Sequence, residues 1–193
     1  MIAYNKIELE KAAKQAGFVR DTFEKVLRLK EVLKYINSDA YLREHLALKG
    51  GTAINMTIFN LPRLSVDIDL DFTPNLSKDD TQMHRKQITE QLCEYMEELG
   101  YHRSEASRYS HSLDAFLFLY QNAGGNRDNI KVEINYSLRS HLFEPTNRKI
   151  VTDMFQEDVM IRTLHPMEIF AAKANALMSR AAARDLYDFN NMI

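Results

Sequence analysis

Cysteine is nearly absent. Cys93 is the only one in 193 residues, so no intramolecular disulfide can form, and no Cys/His cluster has the spacing of a zinc site. Glycine and proline are few, six and four, which excludes collagen-like, linker-like and low-complexity chains. The longest apolar run, Ala115 to Tyr120, falls far short of the ~20 residues that a bilayer crossing needs. The N-terminus, MIAYNKIELEKAAKQ, is charged from residue 6 onward and has no apolar stretch, so it does not read as a secretory signal. Neither sign of charge dominates: Lys+Arg 25 against Asp+Glu 27 gives a net charge of −2, which argues against a DNA-coating protein while leaving room for a local basic surface. What is present is 45% hydrophobic residues and 27% charged ones, enough for one domain, or one plus a small appendage, with a real core. A soluble, cytoplasmic domain of mixed structure is the expectation.

Residues 1–34 carry eight cations (Lys6, Lys11, Lys14, Arg20, Lys25, Arg28, Lys30, Lys34) against five acids. Their helical spacing is read as a solvated helix face rather than a nucleic-acid contact. Helices are expected over 5–16 and 19–37, the second from Phe23, Val26, Leu27, Leu29, Val32, Leu33 and Ile36. Asp39 then caps a short helix ending near His45. Leu46 to Leu48 leads into Lys49-Gly50-Gly51-Thr52, after which Ala53 to Met56 resumes a helical pattern that Leu61-Pro62 stops. A helix of about 78–99 opens with Ser77 and Asp80 as a capping box variant and closes at Gly100. Strands come next at about 101–108, 113–121 and 129–137, the last two joined by the turn Asn122 to Asn126. Another short strand is expected at 159–164, then a helix at 166–180 with Pro166 in its first turn, and a last helix from about Ala182. The ensemble reads as one α/β domain: an N-terminal helical segment, 1–45, packed on a core of 46–193 that ends in helices.

Between Val66 and Phe72 the chain alternates strictly, with Val66, Ile68, Leu70 and Phe72 apolar and Asp67, Asp69 and Asp71 acidic. This is a strand with one face in the core and three carboxylates on the other. Like charges side by side are destabilising, so such a row suits either a solvated strand end or a bound cation. Asp67 and Asp69 lie about 7 Å apart along the strand, an arrangement that suits Mg²⁺ carrying nucleotide phosphates. An EF-hand loop starting at Asp67 fails, because its sixth and twelfth positions are Phe72 and Lys78 rather than Gly and Glu. Glu133, on the polar face of the 129–137 strand with Lys131 and Asn135, can stand beside Asp67 and Asp69 if the two strands pair.

Gly50-Gly51-Thr52 lies between a strand and a helix, where glycines let backbone N–H groups approach a phosphate. It has neither the spacing of a Walker loop nor that of a dinucleotide fingerprint. Its weight comes from its neighbours further along the chain, Arg63 and then Asp67-Ile68-Asp69. On the last two helices Glu168, Lys173, Arg180, Arg184, Asp185 and Asp188 fall among apolar positions, and Lys173 sits in a stretch that looks buried, so its ammonium needs an anionic partner. Cys93 is read as packed and inert, and His84, His102, His111, His141 and His165 are scattered without ligand spacing and carry no assigned role.

In order along the chain, Lys49-Gly50-Gly51-Thr52, Arg63 to Leu70, Lys131-Val132-Glu133-Ile134, Glu168 to Lys173, and Arg180 with Arg184 to Asp188 resemble the AbiEii/AbiGii toxin family of nucleotidyltransferase-like toxins, found in abortive-infection and type IV toxin–antitoxin systems. The resemblance runs from about Leu46 to the C-terminus; the N-terminal helices carry no matching motif. It implies a polymerase-β-like nucleotidyltransferase core, a mixed sheet with flanking helices. It further implies that Lys49, Gly50, Gly51 and Thr52 bind the nucleotide triphosphate, with Arg63 a second phosphate contact. Asp67, Asp69 and Glu133 would bind Mg²⁺, Lys173 would be the essential lysine, and Asp185 or Asp188 would supply the C-terminal acidic motif. The Gly-Ser turn usual in the family is Gly-Thr here, which keeps a hydroxyl. The implied activity is Mg²⁺-dependent transfer of a nucleotide from an NTP to an acceptor hydroxyl, with RNA, in particular a tRNA 3′ end, as acceptor and a cognate antitoxin as partner. The residues alone leave open the same transfer to a small molecule or a protein hydroxyl, and a nucleotide-binding module without turnover. Relatives in the family usually run on with more helices, so a short member or a chain cut at its C-terminus is the expectation.

Overall fold

The acidic strand becomes the axis of a mixed sheet. The computed structural model describes residues 4–59, 65–137, 140–150, 158–180 and 182–191. Strand β2 (Asp67–Phe72) buries Ile68, Leu70 and Phe72. On one side it pairs antiparallel with β1 (Leu46–Lys49), placing Lys49 opposite Asp69. On the other it pairs parallel with β6 (Arg127–Asn135), placing Asp67 opposite Lys131 and Asp69 opposite Glu133. Beyond β6 lies β5 (Leu113–Gln121), antiparallel, which carries the two short strands β3 (His102–Arg103) and β4 (Arg108–Tyr109). Beyond β1 come β8 (Met160–Thr163), parallel, and β7 (Thr146–Lys149), antiparallel to β8.

Helices supply the second layer. Helix α1 (Lys6–Gln15) is capped by the Asn5 side chain, which accepts from the N–H groups of Ile7 and Glu8. Helix α2 (Arg20–Ser38) lays Val26, Leu29, Val32, Leu33 and Ile36 into one cluster with Ile68, Leu70 and Phe72 of β2 and Ile130, Val132 and Ile134 of β6. Each such side chain contributes about 1.5–3 kcal/mol when fully buried. Helix α3 (Ala40–His45) starts at the Asp39 cap and delivers the chain into β1. The two-turn stretch after β1 is helix α4 (Gly50–Ala53), continued by a π-helical turn, Ile54–Ile58, where an α-helical pattern was expected. Helix α5 (Lys78–Glu98) opens as its sequence suggests: Ser77 Oγ accepts from Asp80 N–H at 3.1 Å and donates to the Asp80 carboxylate at 2.6 Å. Helices α6 (Pro166–Arg180) and α7 (Ala183–Asn190) close the described chain. Among the described residues no helix is long and apolar enough to cross a membrane.

Several expectations are corrected. The strand expected over 101–108 is two short pieces, because Ser104 turns the chain: its Oγ accepts from Ala106 N–H and its carbonyl from Ser107 N–H. Strand β6 begins at Arg127 instead of 129, since the Asn122 side chain accepts from both Gly124 and Asn126 N–H and closes the hairpin tightly. Strand β7, with the polar sequence TNRK, shows no alternation to read. Arg28 leaves the solvated face assigned to the N-terminal cations: it is 2% exposed, bonded through Nε and Nη2 to buried Glu24 and through Nη1 to the Tyr101 hydroxyl, with its guanidinium 4.3 Å from the Tyr120 ring centre.

Candidate active site

The sheet register sets the site. Asp67 and Asp69 project from β2 on its open side, flanked by Lys49 of β1 and by Lys131 and Glu133 of β6. The third aspartate of the alternation behaves differently: Asp71 is 1% exposed and forms an ion pair with Lys49. Burial raises the Asp71 carboxyl above its ordinary value, with Lys49 opposing the shift. Lys131 Nζ stands 2.9 Å from Glu133 Oε1, and that hydrogen bond raises the lysine's pKa. Asp67 and Asp69 therefore have no cation in ion-pair contact among the described residues. Burial, then the adjacent Glu133 and Asp67 charges, push the Asp69 carboxyl up to about 6.

The glycine turn lies directly against this carboxylate. Gly50 has φ +71°, and a Cβ placed on it would stand 2.5 Å from Asp69 Oδ2. Only glycine combines that backbone with that approach. Gly50 and Gly51 line the cleft in front of the carboxylates. Thr52 does not: it is buried, and its hydroxyl donates to the Asp67 carbonyl, tying the turn to β2.

The opposite wall is helix α6. Ile169, Ala172, Lys173, Ala176 and Arg180 share one helical face and line the same cleft. Asp185 and Asp188 of α7 are fully buried behind them. Lys173 Nζ lies 2.9 Å from Asp188 Oδ2 and 3.6 Å from Asp185 Oδ1, and Arg180 makes a two-point pair with Asp185 at 2.6 and 2.9 Å. Two cations at the cleft are thus held from behind by two carboxylates that do not themselves line it.

Residues to which the sequence assigned no role complete the wall. His141 lines the cleft, and its Nδ1 is 2.9 Å from Glu168 Oε2. Oε1 of Glu168 accepts from the N–H groups of Leu142 and Phe143. Burial raises the Glu168 carboxyl, but His141 and these two N–H groups outweigh it and leave the net shift downward. An acid in the first turn of α6, two residues after Pro166, was the available signal for Glu168; His141 has none, because its partner is 27 residues away.

Together these walls enclose a cleft of about 570 Å³, within the range of small-molecule and cofactor sites. It brings together Lys49, Gly50, Gly51, Asp67, Asp69, Glu133 and Lys173, while Thr52, Asp185 and Asp188 stand behind its surface. Arg63 lies outside the described residues. Among the described residues no three acidic, histidine or cysteine groups converge closely enough to cage an ion unaided. The oxygen donors nonetheless suit magnesium, which is usually held by one or two carboxylates with water and substrate phosphates completing its shell. Asp67 and Asp69, hard oxygen ligands without a paired cation, meet that requirement.

A mixed sheet with two strand carboxylates beside a glycine turn, a third on the parallel neighbour and cations on a facing helix defines a protein of the nucleotidyltransferase type. The chain belongs to the AbiEii family: residues 31–193 match the nucleotidyl transferase AbiEii toxin of type IV toxin–antitoxin systems. No curated protein matches it in sequence. Among solved structures the fold is similar to MenT4, a nucleotidyltransferase toxin from Mycobacterium tuberculosis H37Rv, with TM-score 0.70 and 17% identity over 98% of this chain and 64% of that one. It is also similar to JHP933 from Helicobacter pylori, with TM-score 0.60 and 18% identity over 89% of this chain and 65% of the other. The chain therefore spans slightly under two thirds of each of these proteins.

Proposed function

We propose that the protein transfers a nucleotide from an NTP to an acceptor hydroxyl of RNA, a tRNA 3′ end being the foremost candidate, in a Mg²⁺-dependent reaction, and that it acts as a toxin restrained by a cognate antitoxin. The observation that carries this reading is the facing of two walls across one cleft: the Asp67, Asp69 and Glu133 carboxylates beside Gly50 and Gly51, and Lys173 with Arg180 opposite. Family membership supports the same activity.

Asp67 and Asp69 would hold Mg²⁺, with Glu133 as the third carboxylate beside Asp69. When bound, the ion would neutralise phosphate charge and stabilise the attacking and departing oxygens. Gly50 and Gly51 let the backbone come close to the phosphates, and Lys49 stands at the entry to that turn. Lys173, fixed by Asp188 and Asp185, presents its ammonium to the triphosphate as charge moves onto the leaving pyrophosphate. Arg180 extends the cationic wall along the same helix face. The apolar surface of Ile169, Ala172 and Ala176 offers the nucleoside a dry side.

Incubation with labelled NTPs, Mg²⁺ and total RNA tests this reading. Label is expected to enter RNA with the wild type and not with Asp67→Ala. Label on a small molecule or on protein would move the acceptor assignment. Absence of transfer to any acceptor, with Asp67→Ala indistinguishable from wild type, would remove the enzymatic reading.

A further inference from the structure

Ser140 and His141 wall two cavities at once: the catalytic cleft and a neighbouring groove of about 470 Å³. The groove runs between the segment after β2, with Thr73, Pro74 and Asn75, and the segment before β7, with Phe143 and Pro145. Its floor carries Arg162 of β8.

Arg162 is half-buried and has no carboxylate in ion-pair contact among the described residues. One guanidinium nitrogen, Nη1, is anchored on the Leu46 carbonyl and the Thr73 hydroxyl, both at 3.1 Å. The other donors of the fork have no partner among the described residues. Burial pushes its pKa below the ordinary arginine value. Glu44 and Glu144 also line the groove, but both are solvent-exposed and neither reaches ion-pair distance. A partly desolvated guanidinium with open donors is suited to a phosphate, which it can grip at two points.

An aromatic platform stands in the same groove. Phe143 is 44% exposed and stacks one face on His165, with ring centres 4.5 Å apart. Glu168 holds the Phe143 and Leu142 N–H groups, so the platform is fixed by the same carboxylate that holds His141 at the junction. A cation for the backbone beside an aromatic face for a base is the pattern by which proteins bind single-stranded nucleic acid. A peptide acceptor would bring no regular anion to Arg162, and free phosphate would leave Phe143 without a partner.

We propose that this groove seats the nucleotide next to the acceptor end of a single RNA strand. Arg162 binds its phosphodiester, Phe143 stacks on its base, and the terminal hydroxyl passes Ser140 and His141 into the cleft. The assignment rests on the RNA-acceptor reading above and gives that acceptor an entry path.

The test is fluorescence anisotropy of a short single-stranded RNA carrying a free 3′ hydroxyl, without NTP, on wild type, Arg162→Gln and Phe143→Ala. Phe143 is exposed, so its variant keeps the fold if Arg162→Gln does not. Each variant is expected to bind the RNA about tenfold more weakly or worse, in line with the loss of one stacking or phosphate contact. Arg162→Gln should also lower the slope of log affinity against log salt by about one. Binding of a non-hydrolysable NTP should be unchanged in both. Equal RNA affinity in all three proteins, no RNA binding by wild type, or a matching loss of NTP binding in Phe143→Ala would overturn the proposal. None of these readouts needs turnover, so a failure of nucleotidyl transfer registers separately.

Discussion

Gly50 and Asp69 are in direct contact across the β1–β2 pair: the Asp69 carboxylate occupies the space a side chain at position 50 would fill. The glycine turn and the acidic strand, 19 positions apart in the sequence, are therefore one device. Any substituent on Gly50 moves the carboxylate proposed to hold the metal.

Gly50→Ala should accordingly cost activity and stability together. The left-handed backbone at φ +71° costs a non-glycine residue about 1–2 kcal/mol, and the new methyl displaces Asp69. A fall in turnover of at least tenfold and a lower Tm are expected. Gly17→Ala is the control, because that glycine has φ +76° but open space around its Cβ position. It should lower Tm and leave turnover unchanged.

Asp69→Asn should stabilise the metal-free protein at neutral pH. The Asp69 pKa rises from 3.8 to about 6 in the fold, so the native state holds its proton more tightly than the unfolded chain. Ionisation thus destabilises the fold above about pH 6, and the penalty fades as pH falls from 6 towards 4. Tm of Asp69→Asn should exceed that of wild type by a few degrees at pH 7.5 without divalent ions, and the gap should close near pH 4. Mg²⁺ should close the gap at pH 7.5 by stabilising the wild type alone, with its apparent affinity falling as pH drops through about 6. Thermal melts across that pH range, with and without Mg²⁺, read every part of this.

Lys173→Met should destabilise the protein by as much as about 3–5 kcal/mol, because it removes a cation from two buried carboxylates. Adding Asp188→Asn should restore part of that stability, because it removes the buried charge left without its lysine while keeping a polar side chain there. Turnover should stay lost in the double variant. Denaturant unfolding and label incorporation, run on the same preparations, separate the two effects.

Glu168→Gln should separate holding a loop from pairing with His141. Gln keeps an acceptor for the Leu142 and Phe143 N–H groups but loses the carboxylate at His141. Wild type should draw stability from this carboxylate above the ordinary glutamate range and lose it as pH falls through the depressed folded value. The variant should be flatter over that acidic range, measured by Tm against pH.

Much of this arrangement is legible in the sequence because it is local or periodic. The alternation of 66–72 fixes which side of β2 carries carboxylates, and the same rule applied to Ile130, Val132 and Ile134 turns Glu133 to that side. The parallel register that sets Asp69 against Glu133 is a long-range fact that no local pattern encodes. Asp71 looks equivalent to its two neighbours in sequence, yet burial and Lys49 remove it from their set. Arg28 reads as one more surface cation, because nothing local announces that Tyr101, Tyr120 and Glu24 enclose it. His141, Arg162 and Phe143 carry no spacing signal at all; what makes them notable is the cavity that four separate segments build around them.

Nucleotidyl transfer is distinguished from every other outcome by where the phosphorus goes. With one NTP labelled at the α-phosphate and the same NTP labelled at the γ-phosphate, each incubated with Mg²⁺ and RNA, only the α-label should enter RNA while the γ-label leaves in pyrophosphate. Asp67→Ala should transfer neither. Transfer of the γ-label to RNA, or no α-label on any acceptor with wild type and Asp67→Ala behaving alike, would rule out nucleotidyl transfer at this cleft.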